Sequence, residues 1–275
     1  LDATAVLALA AVPSPDVDAE LLLSHVLGQS RGSLQAAIIR GDSINESDAQ
    51  TFQALIQRRA TREPLQHIIG TAAFRHLELR VGPGVFVPRP ETELVAQFAI
   101  DALRAAASPA PIGVDLGTGS GAIALSLATE VPHARVFAAE NSPEAIVWTR
   151  ENFERVAAAN ATLAFIDLEQ AFPELNSQVS VLVSNPPYVP DEAIPRDPEV
   201  RLFDPAAALY GGADGLDVIR ILSQVGFRLV HSGGALILEH GEWQGAAIRE
   251  ILTADGWRSA ATHPDLTMRD RVTTA

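Results

Sequence analysis

The chain has 275 residues, 47% hydrophobic and 20% charged, enough for one large domain or two smaller ones. Its net charge is −14 at pH 7 and it has no cysteine, which excludes disulfides and thiolate metal sites. The acidic balance disfavours nonspecific nucleic-acid binding, which needs a basic footprint, and leaves room for a basic protein partner.

No apolar run approaches the roughly 20 residues that span a bilayer, and no basic segment precedes an apolar stretch as in a secretory leader. A cytoplasmic location without membrane attachment is expected. Residues 1–71 read as a helical domain. Asp16 to Gly28 has acids in its first turns and glycine after its last apolar residue. Ser47-Asp48-Ala49-Gln50 resembles a capping box ahead of Phe52, Leu55 and Ile56 at helical spacing. Arg58, Arg59 and Arg62 follow, favourable near a helix C-terminus, and Pro64 ends the run. His25 and His67 read as ordinary histidines.

Residues 72–88 read as a β-hairpin joining two domains. Leu77, Leu79 and Val81 alternate with Glu78 and Arg80, Gly82-Pro83-Gly84 is a turn, and Val85-Phe86-Val87 reads as the second strand. Pro88-Arg89-Pro90-Glu91-Thr92-Glu93 then opens a helix expected to reach Ala106. Residues 89–275 alternate strands and helices. Strands are expected at Ile112–Leu116, Arg135–Glu140, Thr162–Ile166, Val179–Ser184, Gly234–Glu239 and Trp257–Thr262. Helices are expected at Ala122–Glu130, Pro143–Ala158, Leu216–Val230 and Trp243–Asp255. Such alternation implies an α/β domain with a mainly parallel sheet covered on both faces.

Two loops of this domain carry chemistry. Between the first strand and its helix lies Asp115-Leu116-Gly117-Thr118-Gly119-Ser120-Gly121. Its glycines permit a tight turn and close approach of a ligand to backbone. Glu140 ends the next strand about 20 residues on, where a carboxylate accepts from ribose hydroxyls. The pattern is that of a nucleotide site, and Gly117, Gly119 and Ala122 also fit a dinucleotide fingerprint. Asp115 would crowd a pyrophosphate but suits a cationic amino-acid moiety such as that of S-adenosylmethionine. The second loop is Asn185-Pro186-Pro187-Tyr188, ending an apolar run. Its prolines cannot extend a sheet ladder and hold the preceding residues extended. The loop presents the Asn185 amide, the Pro186 carbonyl and the Tyr188 ring together. If the first and fourth strands are neighbours, both loops share one crevice.

Together these residues resemble the bacterial methyltransferases that modify the glutamine of the Gly-Gly-Gln loop in peptide-chain release factors. Carrying the resemblance are Phe86 to Glu93, Asp115 to Gly121, Asn185 to Tyr188 and Gly211-Gly212-Ala213-Asp214-Gly215-Leu216. It spans almost the whole chain and implies a Rossmann-like S-adenosylmethionine-dependent domain, preceded by a small helical substrate-recognition domain and the hairpin. It implies that Asp115, Gly117, Thr118, Gly119, Ser120, Gly121, Glu140, Asp167, Leu168 and Asn185 hold the donor. Asn185, Pro186, Pro187 and Tyr188 are implied to hold the substrate, with Asn185, Pro186 and Tyr188 catalytic and no metal. The family often has Asp-Trp where Asp167-Leu168 stands. Release factor is the expected partner and the chain is expected to act as a monomer, without direct contact to nucleic acid. The alternatives are an adenine amino-methyltransferase acting on DNA or RNA, since Asn-Pro-Pro-Tyr is shared with such enzymes, and a noncatalytic binding module. No role is assigned to His231, His240 or His263.

Overall fold

The computed structural model describes residues 2–275, which divide into two compact units. The first comprises residues up to Thr71 together with Pro195–Phe203. Its helices are Ala3–Leu9, Pro15–Leu27, Arg31–Arg40, Glu46–Ala60, Leu65–Ile69 and Pro198–Phe203. Leu7, Val12, Leu22, Ile56 and Ile68 form its core. The cap of the fourth helix is not Ser47. Asn45 accepts from the Asp48 amide at 2.8 Å and starts the helix two residues earlier, at Glu46.

Residues Pro195–Phe203 join this unit through charge. Arg59 Nε donates to Asp18 at 2.7 Å and its Nη2 pairs with Glu199 at 2.8 Å; Arg62 forks onto the same Glu199 carboxylate. Arg59 and Glu199 are both buried. Burial alone would raise the Glu199 carboxyl, but hydrogen bonds from Arg62, Asp197 and Arg59 hold it well below the usual carboxylate range. Of the three arginines expected to complement a helix end, Arg59 and Arg62 therefore bind a segment more than a hundred residues away, while Arg58 pairs with nearby Glu63.

The second unit, Ala72–Ile194 with Asp204–Ala275, holds nine strands. They are β1 (Thr71–Phe74), β2 (Leu77–Arg80), β3 (Ile112–Leu116), β4 (Arg135–Glu140), β5 (Ala161–Phe165), β6 (Val179–Ser184), β7 (Val230–Glu239), β8 (Ala261–Pro264) and β9 (Asp270–Thr274). β1 and β2 pair alone and the other seven form one sheet in the order β5-β4-β3-β6-β7-β9-β8. Pairing is parallel from β5 to β7 and antiparallel at β9 and β8. Both faces are covered. Val181, Val183 and Ile237 pack on one side with helices Thr92–Ala105 and Ala122–Glu130. Leu182, Leu236 and Leu238 face the other, against Asp217–Leu229 and Gly245–Ala254.

Three expectations are corrected. The hairpin partner of Leu77–Arg80 is Thr71–Phe74, across a turn at Arg75-His76, and Val85-Phe86-Val87 is not a strand. Flanked by Pro83 and Pro88, it instead buries Val85 and Val87 against Ala145 and Trp148. Arg75 takes the left-handed φ of 52° at that turn, its amide donating to Glu93 at 2.8 Å. The late strand is Ala261–Pro264 rather than Trp257–Thr262. Trp257 donates to the Ser223 carbonyl at 3.2 Å and packs edge-on against Phe227. β9 was not foreseen; it inserts between β7 and β8. Helices around the sheet begin or end within one or two residues of expectation, at Thr92–Ala105, Ala145–Val156, Asp217–Leu229 and Gly245–Ala254. No helix among the described residues is long and apolar enough to cross a membrane.

Candidate active site

The strand order reverses between β3 and β6, which are parallel neighbours. Ser184 Oγ donates to the Leu116 carbonyl at 2.6 Å, so the loops after Leu116 and Ser184 leave the sheet side by side. Ligands of open α/β sheets bind at such a point. Gly117 and Gly119 have φ of 73° and 56°, and a Cβ at either would meet nothing within 4 Å. Bare backbone is thus presented to open space. The loop is fixed from behind by Gly117 and Thr118 amides on the Ala139 carbonyl, Thr149 on the Gly119 carbonyl and Asn152 on the Ser120 carbonyl. Asn152 also bonds both backbone groups of Arg80, which docks the hairpin there.

Asp115 is 1% exposed. Its Oδ2 accepts from the Thr118 hydroxyl at 2.6 Å and the Ala124 amide at 3.0 Å, while Oδ1 has no hydrogen-bond partner. Burial pushes its carboxyl up to about 7, against the bonds from Thr118 and Ala124, with Glu140 adding to the rise. An orphaned buried carboxyl oxygen is an acceptor still to be satisfied. Thr118 and Ser120 are buried, and the Thr118 hydroxyl is committed to Asp115. Glu140 accepts from Gly119, Asn141 and Ser142 amides at 2.8, 3.0 and 2.8 Å. These bonds orient it and leave part of its four-site acceptor capacity. Asp167 is exposed, accepts from Asn141 at 3.1 Å and caps the 3₁₀ turn Leu168–Gln170; Leu168 packs on the second core face.

Asn185 is partly buried and its Nδ2 donates to Thr92 Oγ1 at 3.1 Å. Its other carboxamide atom is an acceptor. The backbone of the Asn-Pro-Pro-Tyr loop rests on the Gly-Gly-x-Asp-Gly stretch: Val189 and Tyr210 form a parallel bridge, the Gly211 amide donates to Val189, and the Asp191 amide to Gly212. Gln244 Nε2 holds the Tyr188 carbonyl at 2.9 Å. The Tyr188 hydroxyl lies 3.5 Å from Glu239 Oε1. Burial and the Glu239 charge push the Tyr188 phenol above its ordinary value, so it stays protonated. In the Pro-Arg-Pro-Glu-Thr-Glu stretch, Arg89 pairs with buried Asp204 at 2.6 Å and stacks on Phe86, and Glu93 fixes the Arg75 turn. Thr92 is the residue of this stretch that hydrogen-bonds the Asn185 side chain.

Thr149, Asn152, Glu239 and Gln244 were not foreseen as parts of this site. Glu239 had a legible signal, an acid ending an otherwise apolar strand as Glu140 does. The others contact backbone far away in sequence. His240 and His263 bond Thr273 and Thr274 within the sheet.

A switch-point crevice with a bare glycine cradle, a buried unpaired carboxylate and an amide-bearing loop defines a Rossmann-like methyltransferase domain. Residues 2–70 match the model of the PrmC N-terminal domain and residues 76–211 that of the methyltransferase small domain. The chain is 49% identical to the release factor glutamine methyltransferase of Streptomyces coelicolor, over 99% of this chain and 95% of that one. Relatives of the same name from Mycolicibacterium smegmatis and Deinococcus radiodurans are 43% and 41% identical, over 99% and 98% of this chain and 94% of each relative. Among solved structures, the hMettl16 catalytic domain in complex with a 3′UTR hairpin superposes with a TM-score of 0.57 at 13% identity, covering 71% of this chain and 74% of that one. A T. thermophilus 16S rRNA methyltransferase in complex with AdoMet and guanosine gives 0.54 at 19% identity, covering 74% and 49%. At such identities the likeness is one of fold. The chain belongs to the release factor glutamine methyltransferase family.

Proposed function

We propose that this chain methylates the side-chain amide nitrogen of the glutamine in the Gly-Gly-Gln loop of peptide-chain release factors. S-adenosylmethionine supplies the electrophilic methyl group when bound. The residues present fit that donor: the Gly117 and Gly119 backbone is open, and the Asp115 Oδ1 lacks a partner. Asp115 would hold the cationic amino group, Gly117 to Gly121 the backbone contacts, and Glu140 the ribose hydroxyls. Asp167 and Leu168 would border the base.

An amide nitrogen is a poor nucleophile because its lone pair is conjugated with the carbonyl. The single observation that supports the acceptor reading best is the bond from Asn185 Nδ2 to Thr92. With its NH₂ so engaged, Asn185 offers Oδ1 to one substrate N–H, and the Pro186 carbonyl takes the other. Both hydrogens are then held and the remaining lone pair is aimed. Pro187 stiffens the loop, and Tyr188 packs against the planar amide. Positioning of this kind is worth roughly 7–11 kcal/mol in favourable cases. The nitrogen loses its proton after transfer, so no strong base is required beforehand.

The helical unit with its late segment is assigned to recognition of the release factor. Action as a monomer in the cytoplasm, without direct contact to nucleic acid, completes the reading. Labelled S-adenosylmethionine incubated with release factor or with DNA tests it. Label is expected on the release-factor glutamine; label on adenine alone, or on neither, overturns it.

A further inference from the structure

The acid at the end of β7 is not used by the donor site or by direct contact with the substrate. Leu238 is paired with Ser184, so Glu239 and Asn185 leave adjacent strands at one level. Glu239 is 1% exposed, its Oε1 faces the Tyr188 hydroxyl at 3.5 Å, and its Oε2 has no hydrogen-bond partner. The Thr92 side chain stands close enough to the same carboxyl to oppose the rise that burial imposes on it, and Thr92 Oγ1 accepts from Asn185 Nδ2 at 3.1 Å.

We propose that Glu239 is a positioning residue which, acting through the Thr92 hydroxyl, sets the Asn185 carboxamide with its oxygen toward the substrate. A threonine hydroxyl has one proton to give and lone pairs to receive. A carboxylate only accepts. Thr92 therefore spends its proton on Glu239, and what it offers Asn185 is a lone pair. Only the NH₂ end of the carboxamide satisfies that lone pair, so the oxygen is left for the substrate N–H. If Glu239 is protonated, its O–H is given to Thr92, the Thr92 proton turns toward Asn185, and the carboxamide is favoured in the flipped sense. Two donors would then meet the substrate NH₂.

The groups facing this carboxyl are Thr92 and Glu91 at the start of the helix Thr92–Ala105, Tyr188 on the loop after β6, and Arg271 on β9. Burial pushes Glu239 up to about 7; Thr92, Arg271 and Tyr188 oppose the rise and Glu91 adds to it. Its ionisation thus falls in the working range of a cytoplasmic protein, and the reactive carboxamide orientation belongs to the ionised side.

The inference deepens the proposed reaction and rests on it. Single-turnover methyl transfer to a bacterial release factor is measured from pH 6 to 8.5 at saturating S-adenosylmethionine, so that titration of Asp115 does not enter. Wild-type protein is expected to show an acid limb near pH 7; absence of any wild-type transfer would count against the reaction itself. Glu239→Met, which removes both acceptors at similar length, is expected to lose about tenfold or more in rate, with donor affinity by calorimetry unchanged. Glu239→Gln, which keeps one acceptor, is expected to recover part of that loss and to lack the acid limb. In a Thr92→Val background, Glu239→Met is expected to add little, because the relay is already cut. Glu239→Met at wild-type rate, an acid limb persisting in Glu239→Gln, or fully additive losses in the double variant would each overturn the relay. Should Glu239→Met fail to fold, the pH profile of Glu239→Gln decides alone.

Discussion

Gly215 lies directly against the backbone of Tyr188: a Cβ at position 215 would sit 2.3 Å from the Tyr188 carbonyl oxygen and 2.8 Å from Gln244 Nε2. Its φ of 75° is also one that side-chain-bearing residues avoid. The Gly-Gly-x-Asp-Gly stretch is therefore a support for the Asn-Pro-Pro-Tyr loop. Gly215→Ala is expected to cost about 2 kcal/mol or more in urea unfolding, from left-handed strain and overpacking together. The displaced loop should slow methyl transfer far more than it weakens donor binding. Full activity in the folded variant would show that the loop tolerates the shift.

Variants at Asn185 are expected to separate donor binding from chemistry. Asn185→Ala removes the proposed acceptor, whereas Asn185→Asp keeps an acceptor but places charge near a cationic donor. Ground-state attraction of that kind does not speed the reaction, because the charge is dissipating in the transition state. Both variants are expected to bind S-adenosylmethionine nearly normally and to lose about 100-fold in single-turnover transfer, the scale of a misplaced reactant. Near-normal transfer by Asn185→Ala would remove the acceptor role.

With Asp115 in its proposed place at the donor, binding is expected to depend on pH with a definite sign. Its folded-state carboxyl titrates at about 7, above its ordinary value. Between about pH 4 and pH 7 the free folded protein holds a proton that the unfolded chain has released, so stability falls as pH rises through that window. A cationic group at Oδ1 favours the ionised form. Donor affinity is accordingly expected to rise with pH, by at most about tenfold per unit, and to level off above about 7. Calorimetry in buffers of different ionisation enthalpy should detect proton release below that point. Asp115→Asn should bind weakly and without this pH dependence.

Glu199 fastens the late segment to the helical unit through Arg59 and Arg62. Its carboxyl is depressed in the folded state, so the stabilisation is present above the usual carboxylate range and lost as pH falls toward about 2. Glu199→Gln is expected to destabilise the unit by about 1.5–3 kcal/mol, the cost of losing hydrogen bonds to charged groups. Hydrogen exchange should show residues 195–203 opening first. Unchanged protection there would mean that apolar packing alone holds the segment.

Several features follow from local chemistry and were legible in the chain itself. Gly117, Gly119 and Gly121 mark a turn that needs left-handed backbone, and Pro186-Pro187 stop a strand, because these residues restrict φ and hydrogen bonding wherever they stand. The apolar runs Val179–Ser184 and Ile112–Leu116 announce strands buried on both faces for the same local reason. Only the tertiary structure decided which distant groups meet. The partner of Leu77–Arg80 is set by the turn that Glu93 holds at Arg75, β9 enters the sheet antiparallel beside β7, and Glu199 claims arginines near the other end of the chain. The Asn185 carboxamide has two nearly isosteric orientations, and nothing in Asn-Pro-Pro-Tyr chooses between them. Thr92, 93 residues earlier, bonds its NH₂, and Glu239 stands behind Thr92. A proton's direction along a hydrogen bond depends on every group in the chain of donors, and such a chain exists only once the sheet has brought its members together.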